Sequence, residues 1–161
     1  MNQVIIRRIE KIVNWIIQNK MGTASVDELT RNLVSCQHSF GFHVISMLDV
    51  DEEKLQIEKV YSRAVQALSL LKHGERVVFM CQAGISRSNG LAALLIAYTN
   101  NLTWEEGLEE VKKKVRRTHV LGNMIDTCKE VLRKLKYART CSCGSEMDDN
   151  DDSCFYCTYL A

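Results

Sequence analysis

Residues 77–88 read Val-Val-Phe-Met-Cys-Gln-Ala-Gly-Ile-Ser-Arg-Ser, and this stretch decides how the rest of the chain is interpreted. Residues 76–80 are a short run rich in β-forming side chains and bounded by turn residues, which predicts a buried strand. Residues 86–98 are small and apolar almost all round, which predicts a buried helix. A cysteine therefore stands at the end of a strand, and an arginine six residues later stands at the start of a helix.

A strand, loop and helix in this order can form a cradle for an anion. The backbone N–H groups of the loop can converge on one phosphoryl group, Gly84 allows the chain to bend, and the helix directs its positive end inward. Arg87 adds a guanidinium that can bind two phosphoryl oxygens. The same positive charges favour the thiolate form of Cys81, which makes it a candidate nucleophile. The predicted phosphate-binding residues are Gln82, Ala83, Gly84, Ile85, Ser86 and Arg87.

The pattern Cys-x5-Arg-Ser, within Gly-Ile-Ser-Arg-Ser, resembles the signature loop of the cysteine-dependent protein tyrosine phosphatases, and the dual-specificity branch in particular. The resemblance extends over about residues 15–135 and includes the Tyr-Ser-Arg-Ala of residues 61–64. It implies that Cys81 attacks phosphorus to form a cysteinyl-phosphate, that Arg87 clamps the transition state, and that Ser88 assists hydrolysis of the intermediate. It also implies an α/β fold with a central, mostly parallel sheet flanked by helices, and no catalytic cofactor.

The leaving oxygen in such a reaction needs a proton from a carboxylic acid, which this branch places on a loop before the cysteine. Asp49 and Asp51 lie 32 and 30 residues before Cys81. Alignment from the helix at residues 61–64 favours Asp51 as the general acid and leaves Asp49 as the alternative. Both can also be solvated residues preceding a helix, where aspartate is common.

Two further positions are interpreted through the resemblance. Asn123 is either the asparagine that braces the loop in this branch or an ordinary turn residue after Gly122. Met80 stands where the family usually has a histidine, which predicts weakened activity. The family also has two strands before the helix that precedes the loop, whereas the sequence here leaves room for one, at residues 42–48.

The remaining pattern predicts alternating helices and strands, which is typical of an α/β layer architecture. Ser25 with Glu28, and Thr103 with Glu106, are spaced as capping boxes that begin helices. Residues 22–25 are predicted to be a break between elements. The predicted helices cover 4–17 (with a possible strand at 15–17), 26–33, 55–71, 103–117 and 124–137.

The C-terminal residues 141–161 differ in composition from residues 1–140. They contain five acidic residues and no basic one, whereas the preceding residues contain 21 basic and 15 acidic residues. Two close cysteine pairs can supply the four thiolates of a tetrahedral zinc site. Disulfides in an oxidising setting are the alternative. We therefore expect a phosphatase domain at 1–140 and a structural zinc knuckle at 141–161, with the ligands Cys141, Cys143, Cys154 and Cys157.

The 161 residues, with 46% hydrophobic and 25% charged side chains, are typical of a globular protein. The sequence lacks an apolar run long enough for a membrane span and a recognisable signal peptide, which predicts a cytoplasmic location and no membrane partner. We expect a phosphatase acting on phosphotyrosine in proteins, with phosphoserine and phosphothreonine as further candidate substrates. The alternatives are an RNA 5′-phosphatase or triphosphatase, which the basic residues 112–117 would suit, and a catalytically weak phosphate-binding module. Such a basic run is more often a solvated helix face.

Overall fold

The structure, a computed structural model, describes residues 13–18, 20–33 and 41–138. Strands and helices alternate along most of this part of the chain. The strands are β1 (Asn14–Ile17), β2 (Met21–Ser25), β3 (His43–Ser46) and β4 (Val77–Cys81). The helices are α1 (Val26–Leu33), α2 (Ile57–Lys72), α3 (Arg87–Thr99), α4 (Trp104–Lys114) and α5 (Asn123–Ala138).

The four described strands form one mixed sheet in the order β1-β2-β4-β3. β2 and β3 both run parallel to β4, and β1 pairs antiparallel with β2. Ser25 and Cys81 are partners in the β2–β4 register, so the carboxyl ends of these two strands lie side by side. The predicted α/β fold with a mostly parallel sheet is therefore confirmed.

β2 corrects the prediction of a break at residues 22–25. All five of its residues are buried, and residues 21–25 read Met-Gly-Thr-Ala-Ser, so the strand presents neither an apolar run nor an alternating pattern. A Cβ on Gly22 would lie 2.5 Å from Val13 Cγ1 and 2.9 Å from the carbonyl oxygen of Asn14, so only glycine lets β1 approach this closely. The chain thus has both β2 and β3 before α2, and the expectation of a single strand was wrong.

Both predicted capping boxes are present. Glu28 N–H donates to Ser25 Oγ at 3.2 Å, and Ser25 N–H donates to the Glu28 carboxylate at 3.1 Å. Thr103 and Glu106 make the equivalent pair of bonds, at 3.1 and 3.2 Å. α4 ends at Lys114, before the predicted residue 117, because Val115 leaves the helical conformation and its side chain is buried in the core.

α3 is the central helix, and residues 88–97 are all buried. α4 packs closely against it, since a Cβ on Gly107 would lie 2.3 Å from the carbonyl oxygen of Ala93. None of the helices in the described ranges has the length and hydropathy needed to cross a bilayer. A helix was predicted at residues 4–17, with a strand as an alternative at its end. Residues 14–17 form strand β1, and residues 4–12 lie outside the described residues.

Candidate active site

The predicted phosphate-binding residues 82–87, which we call the phosphate loop, connect β4 to α3. Cys81 is the last residue of β4 and is 2% exposed, and Arg87 is the first residue of α3. Gly84, at the middle of the loop, has a φ of +69°, a conformation that L side chains rarely adopt. A Cβ there would lie only 3.0 Å from the backbone nitrogen of Ser25. The loop therefore rests against the end of β2, and Gly84 allows both the turn and this close packing.

A chain of buried side chains connects Cys81 to Thr118, in the segment after α4. Cys81 Sγ lies 3.0 Å from Ser88 Oγ, and the Ser88 hydroxyl donates to Asn89 Oδ1 at 2.9 Å. The Asn89 amide donates in turn to Thr118 Oγ1 at 2.7 Å. Either atom can be the donor in the contact between Cys81 and Ser88. Neither Asn89 nor Thr118 belongs to the Cys-x5-Arg-Ser pattern, so nothing in the sequence pointed to these two residues.

The guanidinium of Arg87 contacts both the segment after β3 and the carboxylate of Glu52. Its Nη1 donates to the backbone oxygens of Met47, Leu48 and Val50 at 3.1–3.2 Å. Its buried Nε lies 3.4 Å from Glu52 Oε1 but has no hydrogen-bond acceptor in the described part of the chain. A buried donor without an acceptor is uncommon in folded proteins. Nε and Nη2 form the edge of a guanidinium that fits two oxygens of one phosphoryl group, so the site suits a phosphate.

An open cleft of about 700 Å³ lies beside Arg87, and of the two candidate general acids only Asp51 lines it. Asp49 is instead bound by Arg63 Nη2 at 2.8 Å and lies 4.0 Å from Lys59 Nζ. Cys81 is not among the residues that line the cleft, which are Val50, Asp51, Glu52, Glu53, Arg87, Leu121, Gly122 and Asn123.

Asn123 and the loop before α5 contact the site at two places. Asn123 Nδ2 donates to the carbonyl oxygen of Glu53 at 2.5 Å, so its side chain holds the segment that carries Asp51 and not the phosphate loop. The phosphate loop is held by the backbone of residue 119, since His119 N–H donates to the carbonyl oxygen of Ile85 at 2.9 Å. Met80 packs against a small cluster that includes Ala24 and Phe42.

Glu52 is a site residue that the sequence did not single out from its acidic neighbours. Its carboxylate accepts a hydrogen bond of 2.5 Å from Ser86 Oγ and lies beside Arg87. The hydroxyl of Ser86 also accepts from the backbone N–H of Leu121 at 3.2 Å, which directs its hydrogen toward Glu52. The cleft, the phosphate loop and the segment after β3 are therefore joined at this carboxylate.

The predicted zinc ligands lie outside the described residues, as does Cys36. Across residues 13–18, 20–33 and 41–138, no three His, Cys, Asp or Glu side chains cluster in a way that could hold a metal. Cys128 is a core thiol, and burial raises its pKa, so it stays neutral and unreactive at physiological pH.

The chain has the fold of solved dual-specificity phosphatase structures. Solved structures with this fold include PTPMT1 in complex with PI(5)P, at 18% identity and a TM-score of 0.61, covering 75% of this chain and 95% of that one. A variant of human DUSP28 matches at 9% identity and a TM-score of 0.63, covering 78% and 97%. A leucine rich repeat and phosphatase domain containing protein from Entamoeba histolytica matches at 15% identity and a TM-score of 0.60, covering 78% and 93%. No family model and no curated protein matches the chain.

Proposed function

We propose that this protein is a phosphatase that hydrolyses phosphate monoesters through a cysteinyl-phosphate. The Cys81 thiolate attacks phosphorus, the bond from phosphorus to the ester oxygen breaks, and that oxygen takes a proton from the Asp51 carboxyl group. Arg87 stabilises the charge on the phosphoryl oxygens in the transition state. The observation that carries this proposal is the guanidinium of Arg87 at the end of the loop that begins at Cys81, whose buried Nε lies 3.4 Å from Glu52 and makes no hydrogen bond within the described residues.

The second half of the reaction releases the product. Water attacks the cysteinyl-phosphate and gives its proton to the Asp51 carboxylate, while the sulfur–phosphorus bond breaks and inorganic phosphate leaves. Ser88, 3.0 Å from the sulfur, is placed to donate its hydroxyl hydrogen to the departing thiolate once that hydrogen turns away from Asn89. This rotation returns Cys81 to the state that attacks the next substrate.

The proposed substrate is a phosphorylated protein, with phosphotyrosine favoured and phosphoserine or phosphothreonine included. An RNA 5′-phosphate receives less support, because three of the five basic residues in 112–117 are paired with acids. Lys113 lies 2.8 Å from Glu110 on the exposed face of α4, and Arg117 lies 3.6 Å from Glu28. These pairs are typical of a solvated surface.

The proposal also includes the expected division into a phosphatase domain at 1–140 and a structural zinc knuckle at 141–161, in a cytoplasmic protein. Four thiolates in two short turns would provide the folding free energy that so small a segment cannot obtain from a core of its own. Four cysteine ligands leave no open position on the metal, so the zinc would be structural and the chemistry would stay with Cys81.

One assay tests the function. Turnover of a phosphotyrosine peptide, p-nitrophenyl phosphate, PI(5)P and a 5′-triphosphorylated RNA is compared for the full chain and for Cys81→Ser. We expect hydrolysis of the first two by the natural sequence alone. Phosphate release only from RNA or only from the lipid would show that the proposed substrate class is wrong. Release from none of the four would indicate a phosphate-binding module without catalytic activity.

A further inference from the structure

The segment that carries Asp51 is anchored at both ends. We call residues 47–53 the acid loop. At its start, Arg87 Nη1 binds three backbone oxygens between residues 47 and 50, and at its end Asn123 binds the backbone oxygen of Glu53. Asp51 and Glu52 lie between these anchors. Proton transfer from Asp51 requires a further contact that fixes this middle part of the acid loop.

The Asp51 carboxylate itself makes only local contacts. Its Oδ1 accepts from Glu53 N–H at 2.9 Å and its Oδ2 lies 3.9 Å from Lys54 Nζ, and the side chain is 45% exposed. Within the described residues, no hydrogen bond or ion pair joins this carboxylate to the phosphate loop. A general acid must be held within reach of the leaving oxygen, so its position has to come from a neighbouring residue.

Glu52 makes that connection. Its carboxylate binds Ser86 Oγ at 2.5 Å and lies 3.4 Å from Arg87 Nε, and both ionic side chains are largely shielded, at 26% and 15% exposed. Hydrogen bonds to a charged group in a shielded site are stronger than those on the open surface. Glu52 therefore ties the acid loop to two consecutive residues of the phosphate loop.

We propose that Glu52 is a positioning residue that holds the general acid Asp51 over the phosphate loop. This inference rests on the proposed function. Because the Glu52 carboxylate lies beside the Arg87 edge that a phosphoryl group would use, it also opposes the binding of an anion there. Loss of Glu52 should therefore slow turnover while phosphate binds as tightly as before, or more tightly. A residue needed only for folding would weaken both.

The test compares Glu52→Ala and Glu52→Gln with Glu58→Gln, all in the full chain. Glu58 is a matched control, because its 85% exposed carboxylate contacts Lys134 on the helix surface, away from the cleft. Measurements are kcat for a phosphotyrosine peptide and for p-nitrophenyl phosphate, whose leaving group needs little protonation. Binding of inorganic phosphate and thermal unfolding are measured on the same variants.

For Glu52→Ala we expect kcat on the peptide to fall about tenfold or more, and kcat on p-nitrophenyl phosphate to change by less than about threefold. Glu52→Gln, which keeps an acceptor for Ser86, should retain more activity than Glu52→Ala. In an Asp51→Asn background, Glu52→Ala should cause no further loss on the peptide, because the group it positions is already gone.

Three results would overturn the inference: equal losses on the two substrates, an additive loss in the Asp51→Asn background, or weaker phosphate binding by a folded Glu52 variant. If Glu52→Ala unfolds, Glu52→Gln carries the same comparisons. The failure of the proposed function itself would look different, because the natural sequence would then hydrolyse neither substrate.

Discussion

The sulfur of Cys81 and the hydroxyl oxygen of Ser88 lie 3.0 Å apart at the start of α3, with the Ser88 hydrogen directed to Asn89. Either atom can be the donor in this contact when Cys81 is a thiol. A sulfur anion can only accept, so a thiolate would require the Ser88 hydrogen to turn from Asn89 to the sulfur. The two protonation states therefore differ by a rotation of one hydroxyl group and need no change in the backbone.

Cys81→Ser should abolish turnover and leave phosphate binding in place. The loop and Arg87 survive the change, whereas a neutral hydroxyl is a far weaker nucleophile than a thiolate. Turnover of a phosphotyrosine peptide and binding of inorganic phosphate provide the two measurements. Residual turnover above about 1% of the natural rate would contradict the assignment of the nucleophile.

Asp51→Asn should reduce turnover of phosphopeptides more than that of substrates with good leaving groups, because only the former depend on protonation of the leaving oxygen. Asp49→Asn is the matched control, since Asp49 is bound to Arg63 and does not line the cleft. The opposite ranking of the two variants would transfer the acid role to Asp49.

Gly84→Ala should damage the site more than Gly74→Ala does. Both glycines have a positive φ, +69° and +78°, so each substitution carries a backbone cost of about 1–2 kcal/mol. A Cβ on Gly74 would meet nothing within 4 Å, whereas one on Gly84 would press on the backbone of β2. We expect phosphate binding to be lost only in Gly84→Ala. Equal unfolding free energies and equal phosphate affinities would show that the close packing is unimportant.

The capping box of α4 predicts a pH-dependent contribution to stability. The backbone N–H and hydroxyl of Thr103 hold the pKa of the Glu106 carboxyl below its usual range. The folded state therefore gains stability above the pKa of the unfolded chain, about 4.3, and loses it as the pH falls through the lower folded value. Glu106→Gln should have a lower Tm than the natural sequence at pH 7, and the difference should shrink as the pH falls through the lowered pKa of the folded state.

Glu109→Gln, on the same helix, is the control for the loss of one negative charge. Glu109 makes a 3.8 Å ion pair with exposed Lys112 and caps no backbone group among the described residues, so we expect a smaller change of Tm at pH 7. A difference between Glu106→Gln and the natural sequence that stayed constant from pH 7 to about pH 3 would be inconsistent with a role for the charged carboxylate.

The purified full chain should contain one zinc ion, measured by elemental analysis. We expect chelation, or truncation after Thr140, to lower the unfolding temperature more than the turnover of p-nitrophenyl phosphate, since no residue in 141–161 resembles a catalytic group. A folded tail without metal would refute the zinc assignment. Loss of activity in a truncated protein that still folds would show that the tail completes the site or binds substrate.

Local rules made much of the fold predictable. The two capping boxes and the buried strand before Cys81 rest on interactions between residues close in sequence, so their spacing identifies them. β2 was missed because a strand made of small residues and buried on both faces has no periodicity to detect. Glu52 was missed because it and its acidic neighbours have equivalent chemistry in the sequence. The hydrogen bond from Ser86 to Glu52, visible in the structure alone, distinguishes Glu52 from these neighbours.

Arg87 donates hydrogen bonds to the main-chain oxygens of residues 47, 48 and 50 in the acid loop. Every amino acid supplies a carbonyl oxygen, so side-chain replacements at exposed Leu48 leave this contact chemically unchanged. The spacing of the loop is different, because one inserted or deleted residue between β3 and Asp51 would move the oxygens out of register with the guanidinium. Position 48 should therefore tolerate changes of side chain, whereas the stretch as a whole should reject changes of length.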